Sequence, residues 1–142
     1  MAAGSSHSLA LGTAGELYSF GCRYFGVLGH GDTTPQLTPR RIEALRGTPV
    51  SAVAAGTVHT LAVSGAGDVY SFGDGWHGKL GHGDTTQQDT PRRIEALHGV
   101  RACGVAAGGD FSLVVSAAGR VYTFGYGAVS YTHLTLPTIY SV

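Results

Sequence analysis

The sequence has little charge, few cysteines and no long apolar run. Nine basic side chains balance nine acidic ones, so the formal net charge at pH 7 is zero and no global field attracts nucleic acid or an anionic membrane. The two cysteines occupy unrelated places, and no signal-peptide pattern opens the chain, which favours the nucleus or the cytoplasm. No apolar run approaches the roughly 20 residues of a membrane-spanning helix.

Glycine, in contrast, is abundant, with 23 of 142 residues, and 43% of the chain is hydrophobic. Short runs of Val, Leu, Tyr and Phe alternate with glycine-containing turns. This composition predicts an all-β protein with enough apolar surface for a core.

The chain repeats itself with a period of 52 residues. Residues 2–4, 54–56 and 106–108 all read AAG, and residues 2–53 agree with 54–105 at about 31 of 52 positions. Within one period, residues 50–56, 59–64 and 68–73 are strand-like, a turn occupies 65–68, and a further short strand, residues 92–96, follows Pro91. We therefore expect four antiparallel strands per period and no helix, as in a propeller blade.

The signature of the period resembles the repeat of the regulator of chromosome condensation family. The resemblance rests on FGDG at 72–75, GKLGHGD at 78–84 and TP at 90–91, with VAAG at 53–56 and HTLAV at 59–63, and it covers residues 1 to about 127. The family's fold is a seven-bladed propeller. The resemblance thus implies an all-β, partial β-propeller of about two and a half blades, with Phe20, Phe72 and Phe124 where the family often has Trp.

The repeat divides the chain at the hairpin turns. The expected boundaries are the end of a truncated repeat at 1–14, repeats at 15–66 and 67–118, a partial repeat at 119–128 and a tail at 129–142. Because Met1 stands where the period predicts valine, we expect the parent protein to extend beyond both ends.

The tail reads VSYTHLTLPTIYSV where the period predicts an aromatic residue and another glycine-rich loop. It resembles a translated transposon-type sequencing adapter, since GTC TCT TAT ACA CAT CTG ACG CTG CCG ACG would encode residues 129–138. We interpret 129–142 as non-native and exclude it from fold reasoning.

Two GHGD loops recur as the structural signature of the repeat. A phosphate cradle would need a following helix or a Lys-Ser/Thr pair, and neither follows. We expect the glycines to allow positive φ and the His and Asp side chains to satisfy backbone groups. The residues concerned are Gly29, His30, Gly31, Asp32, Gly81, His82, Gly83 and Asp84.

No catalytic, cofactor or metal site is predicted. The seven histidines have no recurring ligand spacing, and Cys22 and Cys103 have no recurring histidine partner. The basic pairs 40–41 and 92–93 recur, but Glu43 and Glu95 follow them, so we expect solvated or inter-blade ion pairs there instead of a nucleic-acid surface.

Positions that differ between repeats are the better candidates for a partner surface. Arg23, Tyr24 and Phe25 of one repeat become Gly75, Trp76 and His77 of the next. Aromatic and Arg side chains on loops are favoured interface anchors. We therefore predict partner binding by Arg23, Tyr24, Phe25, Trp76 and His77.

The resemblance implies a non-catalytic protein-interaction module. Relatives act as guanine-nucleotide exchange factors for a small nuclear GTPase, bind chromatin, or serve as substrate-binding parts of HECT-type ubiquitin ligases, and the last is the alternative for this chain. A plant UV-B photoreceptor also belongs to the family, but its GWRHT motif falls on residues 4–8 and 56–60, which contain no Trp. A secreted relative, as in bacterial inhibitors of β-lactamase, would need an upstream signal peptide.

Overall fold

The computed structural model describes residues 1–22, 24–32 and 34–125, and the backbone of residues 138–141. Its strands form three four-stranded antiparallel sheets, here called blades 1, 2 and 3. Blade 1 consists of β1 (Ala2–Ala3), β2 (His7–Leu11), β3 (Leu17–Gly21) and β4 (Gln36–Arg41). Blade 2 consists of β5 (Val50–Ala55), β6 (His59–Ser64), β7 (Val69–Gly73) and β8 (Gln88–Arg93). Blade 3 consists of β9 (Ala102–Ala107), β10 (Phe111–Ser116), β11 (Arg120–Gly125) and β12 (Thr138–Ser141).

The strands follow one another in sheet order, and the first strands of successive blades lie side by side, β1 near β5 and β5 near β9. The two central strands of each blade are joined by a tight turn that requires glycine. Gly15, Gly67 and Gly119 have φ values of 90°, 91° and 85°, a region that only glycine adopts without strain. The predicted all-β fold, a partial propeller of four-stranded antiparallel blades, is confirmed.

The hydrophobic core lies between the blades. One cluster joins blades 1 and 2 and consists of Leu9, Leu17, Ile42, Leu45, Val50, Ala62 and Phe72. A second joins blades 2 and 3 and consists of Val63, Val69, Ile94, Leu97, Ala102, Val114, Tyr122 and Phe124. Because a sheet buries its apolar faces only against its neighbours, each blade is stabilised by the next one.

The strand predicted after Pro91 was wrongly placed. β8 already begins at Gln88 and ends at Arg93, so Pro91 lies inside it. The proline is tolerated because β8 pairs only with β7, and because Pro91 falls in the stretch where the register shifts, between the Ser71–Arg92 and Gly73–Gln88 pairs. Residues Glu95–Leu97, which the prediction had placed partly in the strand, form a single 3-10 turn.

The predicted repeats and the observed sheets are offset by two strands. Blade 2 takes β5 and β6 from the predicted repeat 15–66 and β7 and β8 from the predicted repeat 67–118. In blade 3, β12 pairs with β11 in the place that β4 and β8 hold in the other blades. Most of the segment interpreted as a non-native tail lies outside the described residues, and that interpretation stays a prediction.

Candidate protein-binding face

Two connections of blade 1, two of blade 2 and the connection 108–110 of blade 3 emerge on the same side of the molecule. We call this side the long-loop face; its described residues are 4–6, 22, 24–32, 34–35, 56–58, 74–87 and 108–110. The start of each long loop is bonded to the short loop beside it, since Cys22 N–H donates to Ser6 O at 2.8 Å and Asp74 N–H donates to Val58 O at 2.9 Å. The face is therefore held to the blades by backbone hydrogen bonds.

The predicted aromatic residues lie on this face at equivalent positions of two blades. Tyr24 and Phe25 belong to the 3-10 turn Tyr24–Gly26, and Trp76 and His77 to the turn Trp76–Gly78. Phe25 and His77 share a left-handed φ of 62° and 61°. Tyr24 is 60% exposed, Phe25 48% and Trp76 67%. The fifth predicted residue, Arg23, lies outside the described residues.

Each aromatic turn rests on the next blade. Tyr24–Gly26 packs against β7 and β8, and Trp76–Gly78 packs against β11. A Cβ atom on Gly26 would clash with Asp89 Oδ1, and Gly31 N–H donates to Asp89 O at 2.9 Å. The neighbouring blade thus fixes the backbone that presents the aromatic side chains.

The GHGD loops form corners of the same face. Gly29, Gly31, Gly81 and Gly83 all have φ between 75° and 84°. A Cβ atom on Gly29 would lie 2.7 Å from Cε2 of Phe72, and one on Gly81 would lie 3.0 Å from Cε2 of Phe124. The first glycine of each loop therefore makes room for a phenylalanine of the following blade.

The histidines of these loops are bonded to a strand of their own blade. His30 Nε2 lies 2.9 Å from Ser19 Oγ, whose hydroxyl donates to Leu28 O at 2.6 Å. The second copy repeats the arrangement, with His82 Nε2 2.9 Å from Ser71 Oγ. Burial lowers the pKa of His82 to about 4, with the charge of Arg92 as a second cause, and the same two kinds of cause lower the pKa of His30. Both rings are neutral at pH 7.

The aspartates of these loops pair with arginine. Asp32 accepts from Thr34 N–H at 3.1 Å and from Arg40 at 3.0 Å, and Asp84 lies 3.8 Å from Arg92. These ion pairs lie within one blade and are close to half exposed, so they match the solvated alternative and not the inter-blade one. Glu43, expected to neutralise the arginine pair before it, is hydrogen-bonded to Arg46 at 2.6 Å.

Sequence reasoning missed a relay of side chains that connects the blades. His7 Nε2 lies 3.0 Å from Thr60 Oγ1 of the next blade, and the Thr60 hydroxyl donates to Val27 O at 3.1 Å. Since that hydroxyl proton is used, the threonine accepts from His7, which assigns the Nε2–H tautomer. The signal available in the sequence was a His in one copy and a Ser or Thr one position later in the next.

The relay recurs between blades 2 and 3. His59 Nε2 lies 2.9 Å from Ser112 Oγ, and the Ser112 hydroxyl donates to Lys79 O at 2.6 Å. Both histidines are buried, and among the described residues their Nδ1 atoms have no hydrogen-bond partner. Each relay therefore joins a strand, the next blade and the long loop between them.

A buried ion-pair cluster distinguishes the second long loop from the first. Lys79 is fully buried, and its Nζ lies 2.5 Å from Asp74 Oδ2 and 3.3 Å from Asp110 Oδ1. The first copy has Cys22, Val27 and Val58 at the equivalent positions. No pattern in the sequence pointed to this cluster, because the two carboxylates come from different blades.

The part of the chain that the structure describes contains no group of three or more His, Cys, Asp or Glu side chains arranged to hold a metal ion. No helix in it is long and apolar enough to cross a membrane.

Comparisons with known proteins agree with this architecture. The family model for the regulator of chromosome condensation (RCC1) repeat matches residues 14–63 and 66–115. The chain is 45% identical over 129 residues to the E3 ubiquitin-protein ligase HERC2 of Homo sapiens, an alignment that covers 89% of the chain and 3% of HERC2. It is 41% identical over 126 residues to the ultraviolet-B receptor UVR8 of Arabidopsis thaliana, covering 89% of the chain and 29% of the receptor.

A solved structure shows the same arrangement of strands. Prp20p of Saccharomyces cerevisiae, described with its binding properties to Gsp1p and histones, superposes with a TM-score of 0.82 at 26% sequence identity. The match covers 96% of the chain and 36% of Prp20p, so the chain spans a minor part of these relatives. The repeat signature, the blade topology and the matched family model agree, and the chain belongs to the regulator of chromosome condensation (RCC1) repeat family.

Proposed function

We propose that this chain is a non-catalytic protein-binding module that receives its partner on the long-loop face. The observation that carries the proposal is the pair of exposed aromatic turns, Tyr24–Gly26 and Trp76–Gly78, with nearly identical backbone and different side chains. Aromatic residues held on a rigid backbone lose little conformational entropy on binding and are enriched among interface hot spots.

The division between constant and variable positions supports this role. The residues that the repeats share hold the blades together, as Gly29 does with Phe72 and Ser19 with His30. The aromatic turns differ between the copies, with Tyr24 and Phe25 in the first and Trp76 and His77 in the second. Such a surface can be specialised for one partner without changing the packing of the blades.

The relatives suggest the class of partner. Prp20p is described with binding to Gsp1p and histones, and the family includes exchange factors for a small GTPase. We therefore propose a small GTPase or a histone-containing particle as the partner. The proposed role is nucleotide exchange or chromatin binding, and the proposed location is the nucleus or the cytoplasm.

The second candidate is a substrate-binding platform within a larger enzyme. The observation that favours it is the 45% identity to HERC2, a ubiquitin ligase of which the chain matches 3%. In that case the same face would hold the protein to be ubiquitinated, and the catalytic residues would belong to another domain.

Purified Gsp1p and purified core histones, tested separately against the immobilised chain, provide the test. We expect Trp76→Ala to weaken binding of at least one of them by about thirtyfold, the loss typical of an interface hot spot. His98→Ala is the control, because His98 is an exposed ring after the turn Glu95–Leu97, at the opposite end of the strands from the long-loop face. Equal affinities for the two variants, or no binding of either probe, would refute the proposal.

Release of a fluorescent guanine nucleotide from Gsp1p then separates exchange from simple binding. Acceleration of release by the chain, lost in Trp76→Ala, supports the exchange role. Binding of histones with no change in nucleotide release supports the chromatin role.

A further inference from the structure

The two long loops hold equivalent places in the repeat, but they differ in the charge of their side chains. At the positions of Cys22 and Val27 the second loop has Asp74 and Lys79, and the next blade contributes Asp110 where blade 2 has Val58. The fold accepts apolar side chains at these positions of the first loop. The charged set is therefore not required by the fold.

The charges of this cluster do not balance. Two carboxylates, Asp74 and Asp110, surround the single ammonium group of Lys79, which leaves a net charge of about −1 at neutral pH. Burying a lysine costs several kcal/mol unless it is well paired, and an apolar residue of similar size is often as stable. The first copy has an apolar but smaller residue, Val27, at this position.

The excess negative charge is accessible from the long-loop face. The side chain of Asp110 is 51% exposed and that of Asp74 is 21% exposed, whereas Lys79 is fully covered. An incoming group thus meets carboxylate oxygens and does not meet the ammonium group. Among the described residues of the cluster, an anion finds no exposed positive charge, and a divalent metal ion finds two carboxylates that are both already paired with Lys79.

An exposed indole belongs to the same turn. Trp76 is 67% exposed, its backbone carbonyl accepts from Lys79 N–H at 3.4 Å, and its ring lies 5.3 Å from that of His77. The faces of Trp rings attract cations, most strongly when the cation is only weakly hydrated. One turn therefore combines an aromatic surface with unbalanced carboxylates.

We propose that the turn 74–79, together with Asp110, receives an arginine side chain of the protein partner. Guanidinium is planar, weakly hydrated and able to stack on an aromatic ring while it donates to a carboxylate, so it fits this combination better than ammonium does. The inference rests on the proposed function, since it names the chemistry by which the long-loop face recognises its partner.

The first aromatic turn does not share this property. Among the described residues at its corresponding positions, Cys22, Val27 and Val58 carry no charge, so arginine recognition is specific to the junction of blades 2 and 3. This asymmetry would set the orientation in which a partner lies across the two turns.

Trp76 is the only tryptophan of the chain, so its fluorescence reports on this site alone. The test is a titration with hexa-arginine, with hexa-lysine and hexa-glutamate in parallel. We expect a saturable change in Trp76 emission with hexa-arginine, weaker binding of hexa-lysine and no response to hexa-glutamate. The zero net charge of the chain keeps general electrostatic attraction small.

Two matched variants locate the charge that matters. Asp110→Asn should weaken hexa-arginine binding by about threefold to fivefold, the range of one partly exposed ion pair. Glu95→Gln removes the same charge from the opposite side of the molecule, in the turn Glu95–Leu97, and should leave the affinity unchanged. Lys79→Met raises the unbalanced charge and should strengthen binding, provided that its thermal melt shows a folded protein.

The outcomes separate this inference from the proposed function. Equal effects of Asp110→Asn and Glu95→Gln, or an equal response to hexa-glutamate, overturn arginine recognition even if Trp76→Ala still weakens the protein partners. If the chain binds hexa-arginine selectively but Trp76→Ala does not weaken the protein partners, the arginine site is supported and the proposed function is overturned. If Lys79→Met does not fold, the first pair of variants decides.

Discussion

His7 and His59 are buried in their neutral form, so acid should lower the stability of the folded protein. Burial lowers the pKa of both side chains from 6.5 to about 4, and the charge of Lys79 contributes at His59. Between pH 6.5 and about pH 4, these histidines bind protons in the unfolded chain but not in the folded one. Stability is therefore fully present above pH 6.5 and is lost as the pH falls toward 4.

We expect the free energy of unfolding, measured by urea denaturation, to fall by about 2 kcal/mol per buried histidine between pH 7 and pH 5. His59→Gln should reduce this dependence by the share of one histidine, although it also lowers stability at pH 7. Thr38→Gln, at an exposed position of β4, is the control for a surface glutamine and should leave the slope unchanged. A stability that does not change over this range would show that the histidines are not held neutral.

The conformation of single residues could be predicted from the sequence where its cause is local. The glycines flanking His30 and His82 indicated tight corners, because positive φ is a property of the residue itself. That Gly29 lies against Phe72 could not be predicted, because the contact joins two blades. The burial of Lys79 between Asp74 and Asp110 has the same non-local origin.

At the scale of elements, the relay of side chains joins three parts of the fold wherever two blades meet. Ser112 on β10 accepts from His59 on β6 and donates to the carbonyl of Lys79 in the long loop. Removing the hydroxyl leaves a buried donor and a buried acceptor without partners. The cost of such a pair exceeds the net value of an ordinary hydrogen bond.

Ser112→Ala should therefore lower the free energy of unfolding by about 1–3 kcal/mol in chemical denaturation. Ser8→Ala is the matched control, since Ser8 holds the same repeat position and no histidine of another blade meets it within the described residues. A loss in Ser8→Ala as large as that in Ser112→Ala would mean that the relay contributes nothing beyond local strand preference.

The inner strands and their hairpins followed directly from alternating residues and glycine turns, and they were predicted correctly. The outermost strand was misplaced because its start at Gln88 depends on pairing with Gly73 across a register shift. Nothing in residues 88–93 themselves marks that shift. The sequence pattern predicts which segments are strands more reliably than where an edge strand begins.

For the whole molecule, the covered and uncovered sheet faces differ clearly. Every residue of β6 in blade 2 is buried, whereas in β10 of blade 3 buried residues alternate with partly exposed ones. Leu113 and Val115 lie on the uncovered face of blade 3, and Phe111 beside them is 41% exposed. Blade 1 shows the corresponding alternation along β2.

As an isolated chain the protein should therefore associate with itself, which light scattering over a concentration series can measure. Leu113→Glu places a charge on the uncovered face and should shift the sample toward monomers without changing the circular dichroism spectrum. Thr38→Glu, at an exposed position of β4, is the control. A monomeric wild-type chain with a cooperative thermal melt would contradict the expectation.

The offset between repeat and sheet has a consequence for how such a gene can grow. Since each blade is completed by strands from two successive repeats, copying any window of one period, whatever its first codon, adds a whole blade. Unequal recombination between neighbouring copies thus lengthens or shortens the array without leaving a strand unpaired. Divergence can then proceed in loops such as 22–27 and 74–79. The GHGD loops that the copies share record their common origin, and these differing loops record their later divergence.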